Sequence, residues 1–398
     1  MSRSVCAAAV LFAMLAAPAA GSTPSPNLLA NPGFEEPLRG HAWMPAAWET
    51  LEAGLPTVFF GRDTFLVHSG RYAVSVANAS NLYPMWHNWS QTLIVGRELW
   101  GKDLVLTLWT RSIGLQGRGY VLLQAYRDTI EKMARQWKVE RDTSAKRLGY
   151  GPLDDPHVVL GWQREYFSDP ETDWVKRTVR IFVPPSSNIV IVRGGILGTG
   201  QVTFDDASLT AEPALPPPAV SPHTNMLADP GFEGDGNAWE YSMPPYFATM
   251  IEKDSTVVHG GKYSIHMRCG GRGGWVNTRM GVVQLIGNRG LGGKRLRLTG
   301  WVKTDSLYNP AYIKIYCSTL EGDVHNTPQQ FNWITPWTKT DLEMDVPPGT
   351  YLIGAWFLFN APAAGDVYFD DVSLEVIGPA VYVTTGTAPP RPAIPSQH

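Results

Sequence analysis

Charged residues are scarce in this 398-residue chain, and neither sign dominates. Asp, Glu, Lys and Arg together make up 17% of the residues, and the formal net charge at pH 7 is −3. Because the basic residues form no long run, nucleic-acid binding has no electrostatic basis, and neither has binding to an anionic membrane surface. After the N-terminus no segment reaches the roughly 18 apolar residues of a membrane-spanning helix, so we expect no membrane span.

Cysteines are also scarce, since the sequence has three of them. None lies in a CxxC or Cys/His pattern of the kind that binds zinc. Cys6 belongs to the N-terminal leader, which leaves Cys269 and Cys317. In an exported protein these two could form a disulfide, or both could be buried free thiols, and the sequence leaves both possibilities open.

The N-terminal leader, residues 1–21, has the pattern of a secretory signal peptide. Arg3 supplies a positive charge, residues 5–16 are apolar, and residues 17–19 form a small-residue cleavage site. This order of segments is typical of signal peptides. We therefore expect an exported protein, secreted or periplasmic.

The rest of the chain contains one series of motifs twice, in the same order. Each series has an Asn-Leu/Met-Leu-Ala-Asn/Asp-Pro-Gly-Phe-Glu opener, a His-Ser/Gly-Gly-Arg/Lys-Tyr turn, two tryptophan-containing strand blocks and a Phe-Asp-Asp-x-Ser-Leu closer. Five matching blocks predict two copies of one structural unit. The Glu of each opener and the Asp pair of each closer indicate that the two ends of a unit meet. Carboxylates brought together in this way need a cation or hydrogen-bond donors.

The repeat also defines the domain boundaries. We predict a first unit at 27–211, a Pro-rich linker at 212–224, a second unit at 225–377 and a disordered Thr/Pro tail at 378–398. Within the units, β-branched and aromatic residues alternate with polar ones, which indicates short antiparallel strands in a β-sandwich. The first unit is longer by an insertion near residues 128–155, where we predict a short helix or a lid.

Together these motifs resemble the carbohydrate-binding modules of families four, nine, sixteen and twenty-two, which are galactose-binding-like β-sandwiches. The resemblance covers both units and implies an all-β fold of two tandem jelly-roll sandwiches joined by the Pro-rich linker. It also implies one structural calcium per module and a cleft on the concave sheet face that binds a β-linked polysaccharide. The implied calcium ligands are Glu35 and Asp205 in the first unit, and Glu233 and Asp370 in the second.

Backbone carbonyls of the His-containing turns and water would complete the about 6–8 oxygen ligands that calcium takes. The alternative is that these acids cap turns or pair with arginine, and which Asp of each Asp-Asp pair binds metal is left open. In some relatives an acid stands where this chain has His68 and His259.

The 15 tryptophans include candidates both for the core and for sugar stacking. We predict a core role for those at equivalent strand positions of the two units: Trp109, Trp174, Trp301 and Trp337. The predicted carbohydrate-binding residues are Trp86, Gln91 and Tyr126 in the first unit, and Trp275, Gln284 and Tyr316 in the second. The two glutamines could instead bond neighbours in the sheet. Second choices for ligand contact are Trp89, Trp162, Tyr246, Trp333 and Trp356.

The sequence therefore predicts an exported, monomeric, non-catalytic protein that binds polysaccharide. The alternative is a cell-surface or matrix adhesion protein built from the same sandwiches. An enzyme is disfavoured because the adjacent acid pairs do not show two carboxylates about 5–10 Å apart, and because no nucleophile-elbow or metalloprotease motif is present. Any catalysis would fall near the insertion, where Tyr126, His157, Arg164 and Tyr166 suggest a lyase-like set.

Overall fold

The computed structural model describes residues 26–51, 55–80, 86–127, 158–242, 249–270, 279–287, 290–320, 322–326, 329–360 and 364–381. Apart from a 3-10 turn at Arg97–Leu99, the regular elements of these residues are β-strands, so the all-β prediction is confirmed. The predicted signal peptide, the insertion, Trp275 and the tail beyond residue 381 lie outside the described residues.

The first unit contains strands that carry alternating apolar and polar residues. They are β1 (Pro37–Leu38), β2 (His41–Pro45), β3 (Glu49–Leu51), β4 (Val58–Asp63), β5 (Ala73–Asn78), β6 (His87–Ile94), β7 (Lys102–Arg127), β8 (Val158–Phe167), β9 (Val175–Phe182) and β10 (Ile189–Pro213). The long strands β7 and β10 pair antiparallel along nearly their whole length, with register shifts near Gly200 and Asp206.

These two strands run through both layers of a β-sandwich. The second half of β7 and the first half of β10 pair with β8 and β6, which with β3 form what we call the front sheet. The other halves pair with β9 and β5, which with β4 form the back sheet. Because side chains alternate along a strand, Val121, Leu123 and Ala125 face the core between the sheets, whereas Tyr120 and Leu122 lie on the opposite side, here called the front face.

The second unit repeats this arrangement. Its strands are β11 (Glu240–Ser242), β12 (Thr249–Asp254), β13 (Ser264–Gly270), β14 (Arg279–Gly287), β15 (Lys294–Thr319), β16 (Gly322–His325), β17 (Phe331–Asp345), β18 (Leu352–Asn360) and β19 (Ala364–Pro379). The front sheet has the order β11-β14-β18-β15-β16, and the back sheet has the order β12-β13-β19-β15-β17. The prediction of two tandem β-sandwiches is therefore confirmed.

Each sandwich has its own apolar core, and the segment predicted to be the linker bonds to both. In the second unit the core includes Cys317, a fully buried thiol that forms no disulfide within the described part of the chain. Its burial raises its pKa to about 12. The side chain of Cys269 lies outside the described residues. The linker residue Leu215 donates its N–H to Asp103 Oδ2 at 3.0 Å in the first unit, and His223 donates its N–H to the Val376 carbonyl, also at 3.0 Å, in the second.

Candidate binding site between the two units

The opener and closer of the first unit meet at the His-containing turn, residues 68–72. Asp205 Oδ2 accepts the N–H groups of the first two turn residues at 2.8 and 3.1 Å. Glu35 Oε1 accepts the N–H groups of the last two at 2.8 and 3.1 Å. Four backbone donors are thereby satisfied by two acids that lie 170 positions apart in the chain. The two acids clip the first loop to the final strand.

The second unit has the same clip at residues 259–263. Asp370 Oδ2 accepts two N–H groups at 2.8 and 3.0 Å, and Glu233 Oε1 accepts two at 2.8 and 3.0 Å. The N–H groups at Glu233 lower its pKa, since they favour the ionised form. Burial raises the pKa of Asp370 in spite of its own N–H donors.

The four predicted calcium ligands therefore already have partners in the described structure. Glu35 Oε1 and Asp205 Oδ2 each accept two N–H groups, and Asp205 Oδ1 accepts a third from Asp206 at 2.7 Å. In the part of the chain that the structure describes, no group of three or more His, Cys, Asp or Glu residues has metal-ligand spacing. These residues fit a hydrogen-bonded clip better than a calcium cage, and calcium stays a prediction.

The tryptophans at equivalent strand positions lie beside the clips, so the prediction that they pack into the core is wrong. His68 stacks on Trp109 with ring centroids 4.0 Å apart, and Trp174 contacts it edge-on at 5.5 Å. In the second unit His259 is held in the same way by Trp301 and Trp337. The cause is strand alternation. Trp109 follows the buried core residue Leu108, so its side chain points to the other side of the sheet.

The two predicted sugar-binding glutamines face the core side of their sheets and serve the openers. Gln91 accepts the N–H of Ala30 through Oε1 and donates Nε2–H to the Ala30 carbonyl, both at 2.9 Å. Gln284 makes the same pair of bonds with Ala228. The amide group of each glutamine hydrogen-bonds one backbone segment through both its oxygen and its nitrogen. Neither glutamine is therefore available to a ligand on the front face.

On the front face of the first unit, aromatic rings surround one arginine. Arg164 lies over the Trp86 ring, with Cζ 4.2 Å from the ring centroid, and its guanidinium donates to the Tyr166 hydroxyl. Trp86 in turn contacts Tyr120 edge-on at 5.1 Å and stacks near Tyr166 at 6.2 Å. Strand pairing brings these rings together, since Tyr120 on β7 is the register partner of Tyr166 on β8.

This arginine forms an ion pair with the second unit. Arg164 Nη1 lies 3.0 Å from Glu240 Oε2, and the exposed fractions of the two side chains are 5% and 17%. Trp162 Nε1–H donates to the other Glu240 oxygen at 2.9 Å. Nearby, Arg118 donates to the Trp239 carbonyl at 2.8 Å and stacks over Tyr241. The front face of the first unit is therefore joined to the second unit by buried polar contacts.

A cavity of about 260 Å³ lies where the front faces of the two units meet. It is lined by Trp86, Val159, Trp162 and Arg164 from the first unit, and by Glu240, Tyr241, Val283, Leu285, Tyr316, Leu352 and Trp356 from the second. Val283, Trp356 and Tyr316 are on the front face of the second unit, because they alternate with core residues of β14, β18 and β15. The predicted ligand residues Trp86 and Tyr316 thus face one shared cavity rather than two separate clefts.

The other predicted ligand residues are placed elsewhere. Tyr126 is on the front face of the first unit but packs in a separate buried cluster with Ile189 and Ile191. Trp275 lies outside the described residues. Of the second choices, Trp162 and Trp356 line the cavity, whereas Trp89 is a core residue and Trp333 is exposed at the surface. Tyr246, the fifth, lies outside the described residues.

The sequence did not predict Glu240 as a site residue. It did predict Arg164, but as a member of the lyase-like set. Glu240 follows the buried Trp239 at the start of β11, and nothing in its local pattern distinguishes it from other exposed acids. Its partner is 76 positions away. A cavity-facing position could have been recognised only from the alternation of β8, on which Trp162, Arg164 and Tyr166 share one side.

The tyrosines in and beside the cavity have raised pKa values. Burial raises the pKa of Tyr120 to about 12 and raises those of Tyr166 and Tyr316 as well. A tyrosine that acts as a general base needs the opposite shift. Arg164 is neutralised by Glu240. His157, the remaining member of the lyase-like set with Tyr126, lies outside the described residues.

No protein-family model matches the sequence, and no curated protein matches it. Similar solved structures include the N-terminal tandem of two family 22 carbohydrate-binding modules from Paenibacillus barcinonensis Xyn10C, at 13% identity and a TM-score of 0.30, covering 90% of this chain and 100% of that chain.

Two further structures show the range of the similarity. One is TmCBM61 in complex with beta-1,4-galactotriose, at 18% identity and a TM-score of 0.29, covering 38% of this chain and 99% of that one. The other is the enzymatically active domain of tailspike protein 4 of bacteriophage CBA120, at 18% identity and a TM-score of 0.32, covering 40% and 22%. At such identities a shared fold does not determine a shared ligand. Among the described residues, no helix is long and apolar enough to cross a membrane.

Proposed function

We propose that this protein is an exported, monomeric polysaccharide-binding protein whose ligand binds in the cavity between the two front faces. The observation that carries the proposal is the convergence of Trp86 and Trp162 from one unit with Tyr316 and Trp356 from the other. The C–H face of a sugar ring stacks on such rings, and pockets of this apolar kind hold ligands with only a few polar groups.

The size of the cavity limits the ligand. At about 260 Å³ it is slightly smaller than the about 300–1,000 Å³ of pockets that enclose drug-sized ligands. It suits one or two residues of a β-linked glycan chain that continues into solvent. Each stacked ring contributes about 0.5–1.5 kcal/mol, so a single protein molecule binds weakly and depends on several rings acting together.

Binding without catalysis is favoured over a glycan-cleaving enzyme. The raised pKa values of Tyr120 and Tyr166 keep both hydroxyls protonated at neutral pH, and the Arg164–Glu240 pair is already formed within the protein. Export is supported by the signal-peptide pattern of residues 1–21. One structural calcium per unit, which the family resemblance implies at the two clips, is a separate proposal.

A glycan panel tests the proposal. Affinity electrophoresis against β-glucan, xylan and mannan should show retention on at least one polysaccharide, weakened about tenfold in Trp86→Ala and in Tyr316→Ala, since one stacked ring is lost. The matched control is Trp333→Ala, which removes an exposed ring that does not line the cavity. If both cavity variants fold and are retained like the wild type, the cavity is not the binding site. Release of reducing ends would instead indicate an enzyme.

The second candidate is an adhesion protein in which the sandwiches act as a rigid spacer. The buried contacts of Arg118 and Arg164 with the second unit favour it, because they hold the two units in one orientation. A spacer would show no retention on any polysaccharide. A variant in which the two units no longer keep one orientation would then have a different hydrodynamic radius, with no change in glycan binding.

A further inference from the structure

A polar cluster surrounds His266 on the outer side of the back sheet of the second unit, on the opposite sheet from the cavity. Glu252 on β12, His266 on β13 and Tyr368 on β19 are register partners, so their side chains lie next to one another. The His266 ring stacks on Tyr368 with centroids 4.4 Å apart and planes 8° apart. Its side chain is only 3% exposed. The imidazole is therefore buried and fixed in orientation.

The two ring nitrogens of His266 have different surroundings. Nε2 lies 2.6 Å from Asp366 Oδ1, an oxygen that also accepts from Arg268. Among the described residues Nδ1 has no hydrogen-bond partner, and it lies near two carboxylates, Glu252 Oε1 at 3.8 Å and Asp254 Oδ2 at 3.9 Å. A buried ring nitrogen that lies within 4 Å of two acid oxygens without bonding either calls for a third partner.

The turn after β12 leaves one oxygen of Asp254 for that partner. Asp254 Oδ1 accepts the N–H groups of Thr256 and Val257 at 2.6 and 2.8 Å. These bonds fix the carboxylate and turn Oδ2 toward His266. Glu252 is 51% exposed and free to adjust.

We propose that His266 Nδ1, Glu252 and Asp254 bind a divalent transition-metal ion such as Zn²⁺. Three protein ligands of nitrogen and oxygen type with a water in the fourth position form a common zinc site. Asp366 acts as the positioning residue, because a carboxylate on the far nitrogen of a metal-binding histidine sets its tautomer and orientation.

The ligands need only a small adjustment to close around an ion. In the described residues no three such side chains stand at metal-ligand spacing. Ligand atoms across a tetrahedral zinc are about 3.4 Å apart, given metal–ligand distances of about 2.0–2.1 Å. The nitrogen–oxygen separations of 3.8 and 3.9 Å therefore have to shorten by about 0.4–0.5 Å, which rotation of the exposed Glu252 side chain and a slight shift of β12 can provide.

The first unit lacks this set, although its sheet has the same register. Gly61, Ser75 and Gln201 stand at the positions of Glu252, His266 and Asp366. There the Ser75 hydroxyl bonds Asp63 at 3.2 Å and Thr203 at 2.9 Å, so the space is filled by a hydroxyl network. Since the clips are common to both units and this cluster is not, the site belongs to the second unit alone.

The other explanation of the cluster is a protonated imidazole that is neutralised by the surrounding acids without any metal. Isothermal titration of the full chain with Zn²⁺ distinguishes the two. We expect one Zn²⁺ per chain that is lost, or weakened at least tenfold, in Glu252→Gln, a substitution at a half-exposed position that keeps the shape of the side chain. Asp366→Asn should weaken binding about 10–100-fold, the usual effect of removing a histidine's outer partner.

The matched control is Asp63→Asn, the first-unit position equivalent to Asp254, which should leave Zn²⁺ binding unchanged. This control and Glu252→Gln also separate the site from the histidines of the two clips, which neither substitution touches. A wild type that binds no Zn²⁺ overturns the proposal. Equal stoichiometry and affinity in the wild type and Glu252→Gln overturns it as well, and would place any bound metal elsewhere.

Discussion

Replacing Glu240 by glutamine should weaken the attachment of the two units more than any surface charge change. The amide keeps the shape of the side chain and an oxygen that can accept the Trp162 indole N–H, which lies 2.9 Å away in the wild type. What it removes is the negative charge opposite Arg164. That guanidinium is 5% exposed and lies among the rings of Trp86, Tyr120 and Tyr166.

The magnitude follows from the burial of the pair. Removing one member of a buried ion pair costs about 3–5 kcal/mol, because the remaining charge stays desolvated without a counter-ion. Since Glu240 itself is 17% exposed and water can partly replace its charge, we expect the lower end, about 3 kcal/mol. A change of this size corresponds to about a hundredfold shift in the equilibrium between joined and separated units, or between folded and unfolded chain.

Urea unfolding followed by tryptophan fluorescence measures this effect. We expect one cooperative transition in the wild type, and in Glu240→Gln either an earlier midpoint or two separate transitions. Glu343→Gln is the matched control, because Glu343 pairs with Arg295 and Arg297 on the exposed side of a sheet, where an ion pair contributes about 0–1 kcal/mol. If the two variants lose the same small amount of free energy of unfolding, the buried pair does not hold the units together.

Three further measurements test the clips. Gly70→Ala should destabilise the first unit by about 2–3 kcal/mol, since the backbone has φ +66° and a β-carbon would lie 2.2 Å from Glu35 Oε1. The control is Gly40→Ala, at φ +83° with no described atom within 4 Å of the added carbon, which should cost only about 1 kcal/mol of backbone strain. Equal losses of the free energy of unfolding in urea would contradict the clip. Because the pKa of Glu233 is lowered in the folded protein, its ionised form contributes stability that is complete above its ordinary pKa of 4.5. This contribution is lost as the pH falls through the lowered pKa. The free energy of unfolding of Glu233→Gln should therefore change less below pH 4.5 than that of the wild type. If each clip holds calcium, a chelator should lower the melting temperature, whereas an unchanged value would remove calcium from both units.

Several features were predictable from residue patterns alone because they depend on local spacing. Alternation of apolar and polar residues indicates strands, and the duplicated opener and closer indicate two equivalent units. The acids Glu35 and Asp205 were expected to meet with a cation or with hydrogen-bond donors, and the described structure supplies backbone donors. The prediction that Trp109 packs into the core is wrong, because the neighbouring Leu108 takes the core position and strand alternation turns Trp109 to the other side.

The sequence by itself determined the strand-rich composition, the repeat and the pairing of each opener with its closer. Only the tertiary structure decided that the two front faces share a cavity, that Arg164 finds Glu240, and that three acids converge on His266. The physical reason is the sequence distance over which each interaction acts. Strand periodicity and turn chemistry act between neighbours, whereas these contacts join residues that are far apart in the chain and depend on how twisted sheets pack. No local sequence pattern distinguishes an acidic residue that will be buried from one that will stay exposed to water.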